Sequence, residues 1–332
     1  MTHVSLKGLT MVRESKSYID SLHAILTAAH LYDGPKYRLS GLTGMSYKFS
    51  VHERLLPLSV TAYGQWGSEH RPAAHNIGLF SIIDAGRTRH PTFRHYQQEA
   101  VKRTKLSLDQ GVGVMYWLPE FGVIDGYDDE DRVFFVQDGW SSEKQIVLYD
   151  NFGLNFTEFW YYETFGRKVD IPYEAMLLES IRLAITDWDT PYKTLPHKDI
   201  GSGKLAYDFF VRALEHGDFD ERGAVYILNS FIQSRKEIRA YLQEARGIWT
   251  EWDHAADLFR QLADLFPGME SCMIAAEGDK RIDRQKTGEL IGLLRAAQAI
   301  EDAAVDRFRA VSAAYPDRKR SIVPRWGVHT PK

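Results

Sequence analysis

The sequence predicts an α+β protein in which a helix and an antiparallel sheet are followed by an all-helical region. Residues 118–138 have the pattern of a β-hairpin, because apolar runs at 121–124 and 133–136 flank an acidic, glycine-containing bend. Residues 14–31 carry an apolar stripe of helical period ahead of this hairpin. From about Ile171 onward, helical periodicity dominates the chain.

The composition is that of an ordinary globular protein with two domains. The chain has 332 residues, of which 44% are hydrophobic and 26% are charged. We place the domains at 1–170 and 171–332, because mixed elements followed by runs of helices favour separate units. The net charge of −4 provides no basic excess for nucleic-acid binding.

The chain shows no pattern that would direct it to a membrane or an oxidising compartment. Its first residues carry no long apolar run, and no stretch reaches the roughly 18 apolar residues of a membrane span. The single cysteine, Cys272, excludes an intramolecular disulfide framework. We therefore expect a cytoplasmic protein without a membrane partner.

Each element of the first domain has its own local signal. Tyr18, Leu22 and Ile25 belong to the apolar stripe of the first helix, which Ser15 or Ser17 would cap. Residues 57–95 have no firm period and predict loops and short elements. The remaining predictions are a strand around 47–51, a helix at 93–108, a buried strand at 111–118, a strand at 145–149 and an aromatic-rich segment at 155–166 that we expect to be buried.

The second domain predicts five or six helices and no convincing strand. A loop that contains Pro191, Pro196 and Gly201 separates the first two helices. The helical patterns lie at 174–188, 204–216, 224–249, 252–266 and 284–314.

The order of elements and one motif resemble a known fold. A first helix, a central sheet and a strand that runs into Gly126-Tyr-Asp-Asp resemble the papain-like fold, in particular bacterial C39-type peptidases and the N-terminal domain of the butirosin biosynthesis acyltransferase family. The resemblance covers about residues 10–160 by motif. The C-terminal half is similar only in its overall pattern of predicted helices. In those families the first helix begins with a nucleophilic Cys, a His lies six residues before the Gly-Tyr-Asp turn, and an Asp follows the next strand.

The resemblance implies site positions that this chain fills with other residues. The His position falls on Glu120 and the Asp position on Asp138. The nucleophile position falls near Ser17, Tyr18 or Ser21, where no cysteine stands. Because papain-type chemistry needs a thiolate and a histidine that takes its proton, we expect no cysteine-peptidase activity.

Three functions remain open on this basis. The first is a catalytically altered or inactive papain-like protein that binds a small molecule or peptide in the cleft between the first helix and the sheet, in bacterial secondary metabolism as the resemblance implies. The second is an acyltransferase or hydrolase that uses Glu120 and Asp138 as acid and base. The third is an interaction protein that acts through its helical domain, and a homo-oligomer is left open. The predicted ligand contacts are Ser17, Tyr18, Ser21 and Trp117.

Each candidate residue also has a structural explanation. Glu120 and Asp138 would then cap turns or pair with a nearby arginine. Tyr18 would belong to the core, and Ser17 would cap the first helix. The histidines show no metal-ligand spacing, and the acidic bend at 128–131 lacks the spacing of calcium ligands, so we expect no metal and no cofactor.

Overall fold

The structure is a computed structural model that describes residues 3–57, 66–193, 198–276 and 278–316. The helices are α1 (Ser17–Ala28), α2 (Lys36–Leu42), α3 (Trp66–Asn76), α4 (Phe93–Asp109), α5 (Tyr173–Asp189), α6 (Lys204–His216), α7 (Glu221–Glu244), α8 (Thr250–Ala263), α9 (Phe266–Ser271) and α10 (Thr287–Ala314). The strands are β1 (His3–Ser5), β2 (Ser50–His52), β3 (Leu79–Arg87), β4 (Val114–Trp117), β5 (Phe121–Asp128), β6 (Val133–Gln137), β7 (Gln145–Leu148), β8 (Phe159–Lys168), β9 (Ile200–Ser202), β10 (Met273–Ala276) and β11 (Asp279–Ile282). The protein is thus a mixed α/β protein with an antiparallel sheet and a helical C-terminal region, as the sequence predicts.

The described residues form two compact units that do not simply follow chain order. Unit 1 takes its residues from Met1–Leu39 and Ile77–Asp170, and unit 2 takes its residues from Ser40–Asn76 and Ile171–Lys332. One boundary between the units lies after Asp170, where the sequence analysis also divides the chain. In addition, Ser40–Asn76 belongs to unit 2, although unit 1 surrounds it in the sequence. The domain limits 1–170 and 171–332 stay a prediction.

Unit 1 is built on one antiparallel sheet, which has seven strands among the described residues. The strand order is β3-β8-β4-β5-β6-β7, and β1 pairs with the end of β5 that lies beyond β4. The register of β5 and β6 sets Val123 opposite Gln137 and Asp128 opposite Val133. The predicted hairpin is therefore confirmed.

A bulge in β5 shapes the glycine-containing part of the motif. The β5–β6 register shifts between Ile124 and Gly126. A side chain at Gly126 would collide with the carbonyl oxygen of Val4, so glycine lets β1 approach β5 closely. Asp125, buried at the bulge, accepts a hydrogen bond from the Gln137 amide at 2.5 Å and lies 2.7 Å from the Lys144 ammonium group.

Helices α1 and α4 both pack against the sheet of unit 1. Helix α4 contributes to an aromatic core that includes Phe93, Tyr116 and Tyr162. Helix α1 sets Tyr18 edge-on against Phe121, with 5.5 Å between the ring centroids. The first helix and the α4 segment thus form as predicted, with α1 beginning and ending a few residues inside the predicted range.

Several local predictions in the first half are wrong. Residues 57–95 contain the eleven-residue α3 and the nine-residue β3 rather than loops and short elements, although 58–65 lie outside the described residues. Strand β3 exposes Phe80 and Ile82, which obscures the alternation that marks a half-buried strand. In the aromatic segment, Trp160 is buried as predicted, but Phe156 is 91% exposed.

Unit 2 is mostly helical, but it contains three short strands that the sequence analysis missed. Strand β9 pairs with β2, which sets Ser202 opposite Ser50. Strands β10 and β11 form a hairpin. These strands have three or four residues each, which is too short for a periodic signal. The predicted loop residue Pro196 lies outside the described residues.

A buried ion pair joins two helices of unit 2. Arg235 of α7 and Glu301 of α10 have side chains that are 1% and 3% exposed. The guanidinium donates to Glu301 at 2.8 Å and 3.3 Å, and the Tyr207 hydroxyl donates to the same carboxylate. Arg235 also donates to the carbonyl oxygens of Ser46 and Tyr47. Both charged groups of this pair therefore have several hydrogen-bond partners.

No helix among the described residues combines the length and the apolar character that crossing a membrane requires.

Candidate functional site

The start of α1 meets the connection between β4 and β5 through two side chains. Ser17 is the first residue of α1, and Glu120 directly precedes β5. The Ser17 hydroxyl donates a hydrogen bond to the Glu120 carboxylate, across 103 positions of sequence. These are positions to which the resemblance assigns the nucleophile and the histidine. The structure therefore brings together two of the residues that the sequence analysis selected from the resemblance.

The cap that the sequence predicts for α1 is wrong. Neither Ser15 nor Ser17 caps the helix, and the buried Ser15 hydroxyl has no hydrogen-bond partner among the described residues. Instead, Asp20 inside the helix accepts the backbone N–H groups of Glu14 and Ser15, each at 3.0 Å. The Lys36 ammonium lies 2.8 Å from the same carboxylate. Asp20 thus fixes the segment before α1, and Ser17 directs its hydroxyl to Glu120 instead.

Arg13 connects Glu120 with the end of the hairpin. Its Nη1 lies 3.8 Å from a Glu120 oxygen, and its Nη2 donates to the Asp138 carbonyl oxygen at 3.0 Å. Its backbone N–H donates to the Gly139 carbonyl at 3.1 Å. The two predicted carboxylates therefore lie at the same end of the hairpin, with Arg13 between them.

The Asp138 side chain organises the turn that follows β6. It accepts the backbone N–H groups of Trp140 at 2.8 Å and Ser141 at 3.0 Å, and the Gln145 side-chain amide at 2.9 Å. Burial works against ionisation of Asp138, but these hydrogen bonds and the charge of Arg13 outweigh it, so the pKa of Asp138 lies below its ordinary value. Asp138 thus caps a turn, as its structural explanation proposes.

Exposure separates the groups that solvent can reach from those that it cannot. The side chain of Arg13 is 6% exposed, whereas the Glu120 side chain is 27% exposed. Trp140 is 73% exposed, and the guanidinium carbon of Arg13 lies 5.7 Å from its ring centroid. We call Arg13, Ser17, Glu120, Asp138 and Trp140 the serine–glutamate site. Its accessible parts are about a quarter of the Glu120 side chain and most of the Trp140 side chain.

Tyr18 and Ser21 lie in the interior rather than at an open surface. Both are fully buried. The hydroxyls of Tyr18 and Tyr161 donate to the buried Glu163 carboxylate at 3.1 Å and 2.8 Å. Burial, followed by the charge and hydrogen bond of Glu163, raises the pKa of Tyr18 well above its ordinary value, so this phenol stays protonated. Packing explains Tyr18, and its contact with a ligand stays a prediction.

Ser21 and Trp117 also have local partners. The Ser21 hydroxyl lies 3.5 Å from the sulfur of Met11. Trp117 is 5% exposed, and its indole N–H donates to the Thr157 hydroxyl at 3.4 Å. Its ring packs against Phe121 with 5.1 Å between centroids. For these two residues as well, ligand contact stays a prediction.

Sequence reasoning missed Arg13, Trp140 and Glu163. Arg13 and Trp140 lie in irregular segments, where no periodicity indicates which side chains turn inward. Glu163 did leave a signal, because it is the acidic residue within the aromatic strand β8. A carboxylate in such a strand must find hydrogen-bond donors, and here two tyrosines provide them.

The structure assigns no reactive role to the cysteine. Cys272 is buried in unit 2, and burial, together with the negative charge of Glu289, raises the pKa of its thiol. Among the described residues, no group of three or more histidine, cysteine, aspartate or glutamate side chains could hold a metal ion.

Comparisons with known proteins add no assignment to this geometry. No protein-family model matches the chain, and no curated protein gives a significant match. The papain-like resemblance therefore stays an interpretation of the hairpin motif. Any functional conclusion must come from the contacts of the site itself.

Proposed function

We propose that unit 1 is a papain-like domain without thiol chemistry that binds a small molecule or peptide at the serine–glutamate site, between α1 and the sheet. The hydrogen bond from Ser17 to Glu120 carries this proposal. It supports the resemblance because it joins the first residue of the first helix to the residue six positions before the Gly-Tyr-Asp turn. Neither residue can supply a thiolate or an imidazole.

The charges of the site favour a cationic or hydroxylated group on the ligand. The side chains of Glu120 and Asp138 are both acidic, and Arg13 supplies one positive charge between them. The Glu120 side chain is 27% exposed, and a carboxylate accepts hydrogen bonds from an ammonium or hydroxyl group. The exposed ring of Trp140 offers an apolar face and a cation–π surface beside it. A ligand that combines an amine or hydroxyl with an apolar part fits both.

A binding screen with matched variants tests this proposal. We would measure thermal shifts for the wild type against amines, sugars, amino acids and short peptides, and then determine Kd values for the hits. Loss of a charge-assisted hydrogen bond costs about 1.5–3 kcal/mol, so Glu120→Gln should weaken a hit by roughly 10- to 100-fold. Glu143→Gln, an exposed carboxylate near the same turn, is the matched control and should leave Kd unchanged.

Two outcomes would contradict the binding proposal. Equal Kd values for the wild type and Glu120→Gln would move the binding site away from Glu120. A loss of affinity in both glutamate variants would indicate a general charge effect. Unfolding curves of both variants at pH 7 would show that each is folded before its affinity is compared.

The same hydrogen bond favours a second candidate, acyl transfer or hydrolysis through Ser17. A carboxylate that accepts the hydroxyl hydrogen of a serine stands where a general base would act. A fluorophosphonate probe distinguishes the two functions, because it reacts with activated serines. The binding proposal predicts no labelling. Labelling of the Ser17 peptide that Glu120→Gln abolishes would establish the enzymatic alternative, and Ser17→Ala is the control for the labelled position.

A further inference from the structure

Strand β7 ends the sheet of unit 1 with an open edge. It follows β6 as the last strand in the sheet order, and no other described strand pairs with it. The Tyr149 N–H donates to the Arg132 carbonyl at 2.9 Å, which fixes the hydrogen-bonded positions of the β6–β7 ladder. Because such positions alternate, Val147 directs its backbone groups to β6, whereas Ile146 and Leu148 direct theirs outward.

The side chains on this edge are unusually apolar for an open strand. Ile146 is 66% exposed and Leu148 is 48% exposed. They lie on the same face, because residues two apart in a strand point to the same side. Open edges are commonly protected by charged residues, proline or bulges, and Gln145–Leu148 contains none of these. The edge therefore combines exposed apolar side chains with backbone groups that no other described strand pairs with.

We propose that β7 pairs with β7 of a second copy of this chain, antiparallel about a twofold axis at Val147. In this register Ile146 of each copy faces Leu148 of the other, so the outward backbone groups bond and four apolar side chains cluster. Lys144 of each copy then lies toward the 3₁₀ turn Tyr149–Asn151 of the other, which directly follows β7 and carries Asp150. The side chains of Lys144 and Asp150 are 38% and 82% exposed, so both keep accessible charge beside their intramolecular partners Asp125 and Arg132.

Charge and backbone pattern together select this register over its neighbours. A shift by one position would set an outward backbone group opposite one that already bonds to β6. A shift by two positions would set Lys144 opposite Leu148, or would bring Ile146 to the 3₁₀ turn that carries Asp150, and would lose both complementary contacts. An isologous pair centred on Val147 satisfies the apolar and the charged residues at once.

The proposed dimer should have a low affinity. Two four-residue strands form a small contact, and stable interfaces usually bury about 1,200–2,000 Å². Association should therefore depend on concentration and appear in the range of roughly 10⁻⁵ to 10⁻³ M. The proposed dimer involves no residue of the serine–glutamate site, so its test is independent of the test of ligand binding.

Disulfide trapping tests the register directly. Val147 would face itself across the axis at a non-hydrogen-bonded position, where Cα atoms lie about 4.5 Å apart, within disulfide range. Mild oxidation of Val147→Cys should give a covalent dimer. Wild type, whose single cysteine is the buried Cys272, and Glu143→Cys, four positions off the axis, should form no covalent dimer. No cross-link in Val147→Cys, or equal cross-linking in Glu143→Cys, would overturn the register.

Analytical ultracentrifugation tests the association itself. The weight-average mass of the wild type should rise with concentration, and Ile146→Lys should abolish the rise. Ile82→Lys is the matched control, since Ile82 is 52% exposed on β3, the strand at the opposite end of the sheet. Circular dichroism of both variants shows that they are folded. A wild type that stays monomeric at 1 mM, or an equal effect of both substitutions, would overturn the proposal.

Discussion

Two arginine–glutamate pairs, one in each unit, satisfy their charges in different ways. In unit 2, Arg235 and Glu301 are almost fully buried and make two hydrogen bonds of 2.8 Å and 3.3 Å. In unit 1, Arg13 is similarly buried, but its closest approach to Glu120 is 3.8 Å. Its Nε has no hydrogen-bond partner among the described residues, and the Glu120 side chain is 27% exposed.

The difference indicates which pair serves the fold. A buried charge pair is tolerated when hydrogen bonds replace the lost hydration. The neighbours of Arg235 and Glu301 provide such hydrogen bonds. In the Arg13–Glu120 pair, the Arg13 Nε has no hydrogen-bond partner within the described part of the chain, and the Glu120 side chain is partly exposed. Of the two glutamates, Glu120 is the one that a ligand in solution could reach, since its side chain is 27% exposed and that of Glu301 is 3% exposed.

The largest effect should come from breaking the buried pair. Glu301→Gln leaves the Arg235 charge without a compensating carboxylate, so we expect the free energy of unfolding to fall by about 3–5 kcal/mol. Urea denaturation at pH 7 measures this loss. Glu289→Gln, an exposed carboxylate on the same helix, should cost less than about 1 kcal/mol. A loss below 1 kcal/mol in Glu301→Gln would remove the contrast between the pairs.

A double-mutant cycle should give a smaller value for the pair in unit 1. We expect a coupling energy of at most about 1 kcal/mol between Arg13→Met and Glu120→Gln, because the two groups are 3.8 Å apart and one is partly hydrated. Unfolding of the two single variants and the double variant measures it. A coupling of 3 kcal/mol or more would place Arg13–Glu120 in the same class as Arg235–Glu301.

The pH dependence of Asp138 should be smaller still. Its folded pKa lies below its ordinary value, so its stabilising effect is full above about pH 5 and is lost as the pH falls through the folded pKa. Asp138→Asn should therefore lower stability at pH 7 by under about 1 kcal/mol and by less at pH 3. Urea unfolding at both pH values provides the comparison. An equal loss at pH 3 and pH 7 would mean that the charge contributes nothing.

Trp140 should matter least for stability. Its ring is 73% exposed, so Trp140→Ala should change the free energy of unfolding by no more than about 0.5 kcal/mol. The same variant should weaken any ligand that Glu120→Gln weakens, because both groups form the accessible part of the site. Kd and unfolding are to be measured on the same sample. A loss above 1.5 kcal/mol would show that Trp140 has a packing role.

Strong local patterns allowed part of the fold to be predicted. The hairpin followed from two apolar runs and an acidic, glycine-containing bend, and the apolar stripe of α1 followed from its helical period. Strand β3 was not predicted, because the exposed residues Phe80 and Ile82 are apolar and remove the alternation of apolar and polar residues that marks a half-buried strand. Strands β10 and β11 are too short for any periodic pattern to stand out.

The site was predictable only where the resemblance supplied positions. Ser17 and Glu120 were selected because the motif assigns roles to their positions in the sequence. In the structure, the Ser17 hydroxyl donates a hydrogen bond to the Glu120 carboxylate. Arg13 could not be found, since its position depends on the Gly139 carbonyl and the turn at Asp138, which form only in the folded hairpin. No side chain caps α1; Asp20 instead accepts the N–H groups of Glu14 and Ser15 and so fixes the segment before the helix, which no sequence pattern indicates.

The chain path has a consequence for synthesis on the ribosome. The Ser50 hydroxyl hydrogen-bonds to that of Ser202, 152 positions later, and Gly41 packs against the ring of Tyr241. At about 5–20 residues per second, the segment Ser40–Asn76 emerges roughly 8–30 s before β9 does. During this interval its apolar residues lack their native partners. We therefore expect the segment Ser40–Asn76 to lack its unit 2 contacts until the C-terminal half is synthesised, and to lack them permanently in a fragment that stops at residue 170.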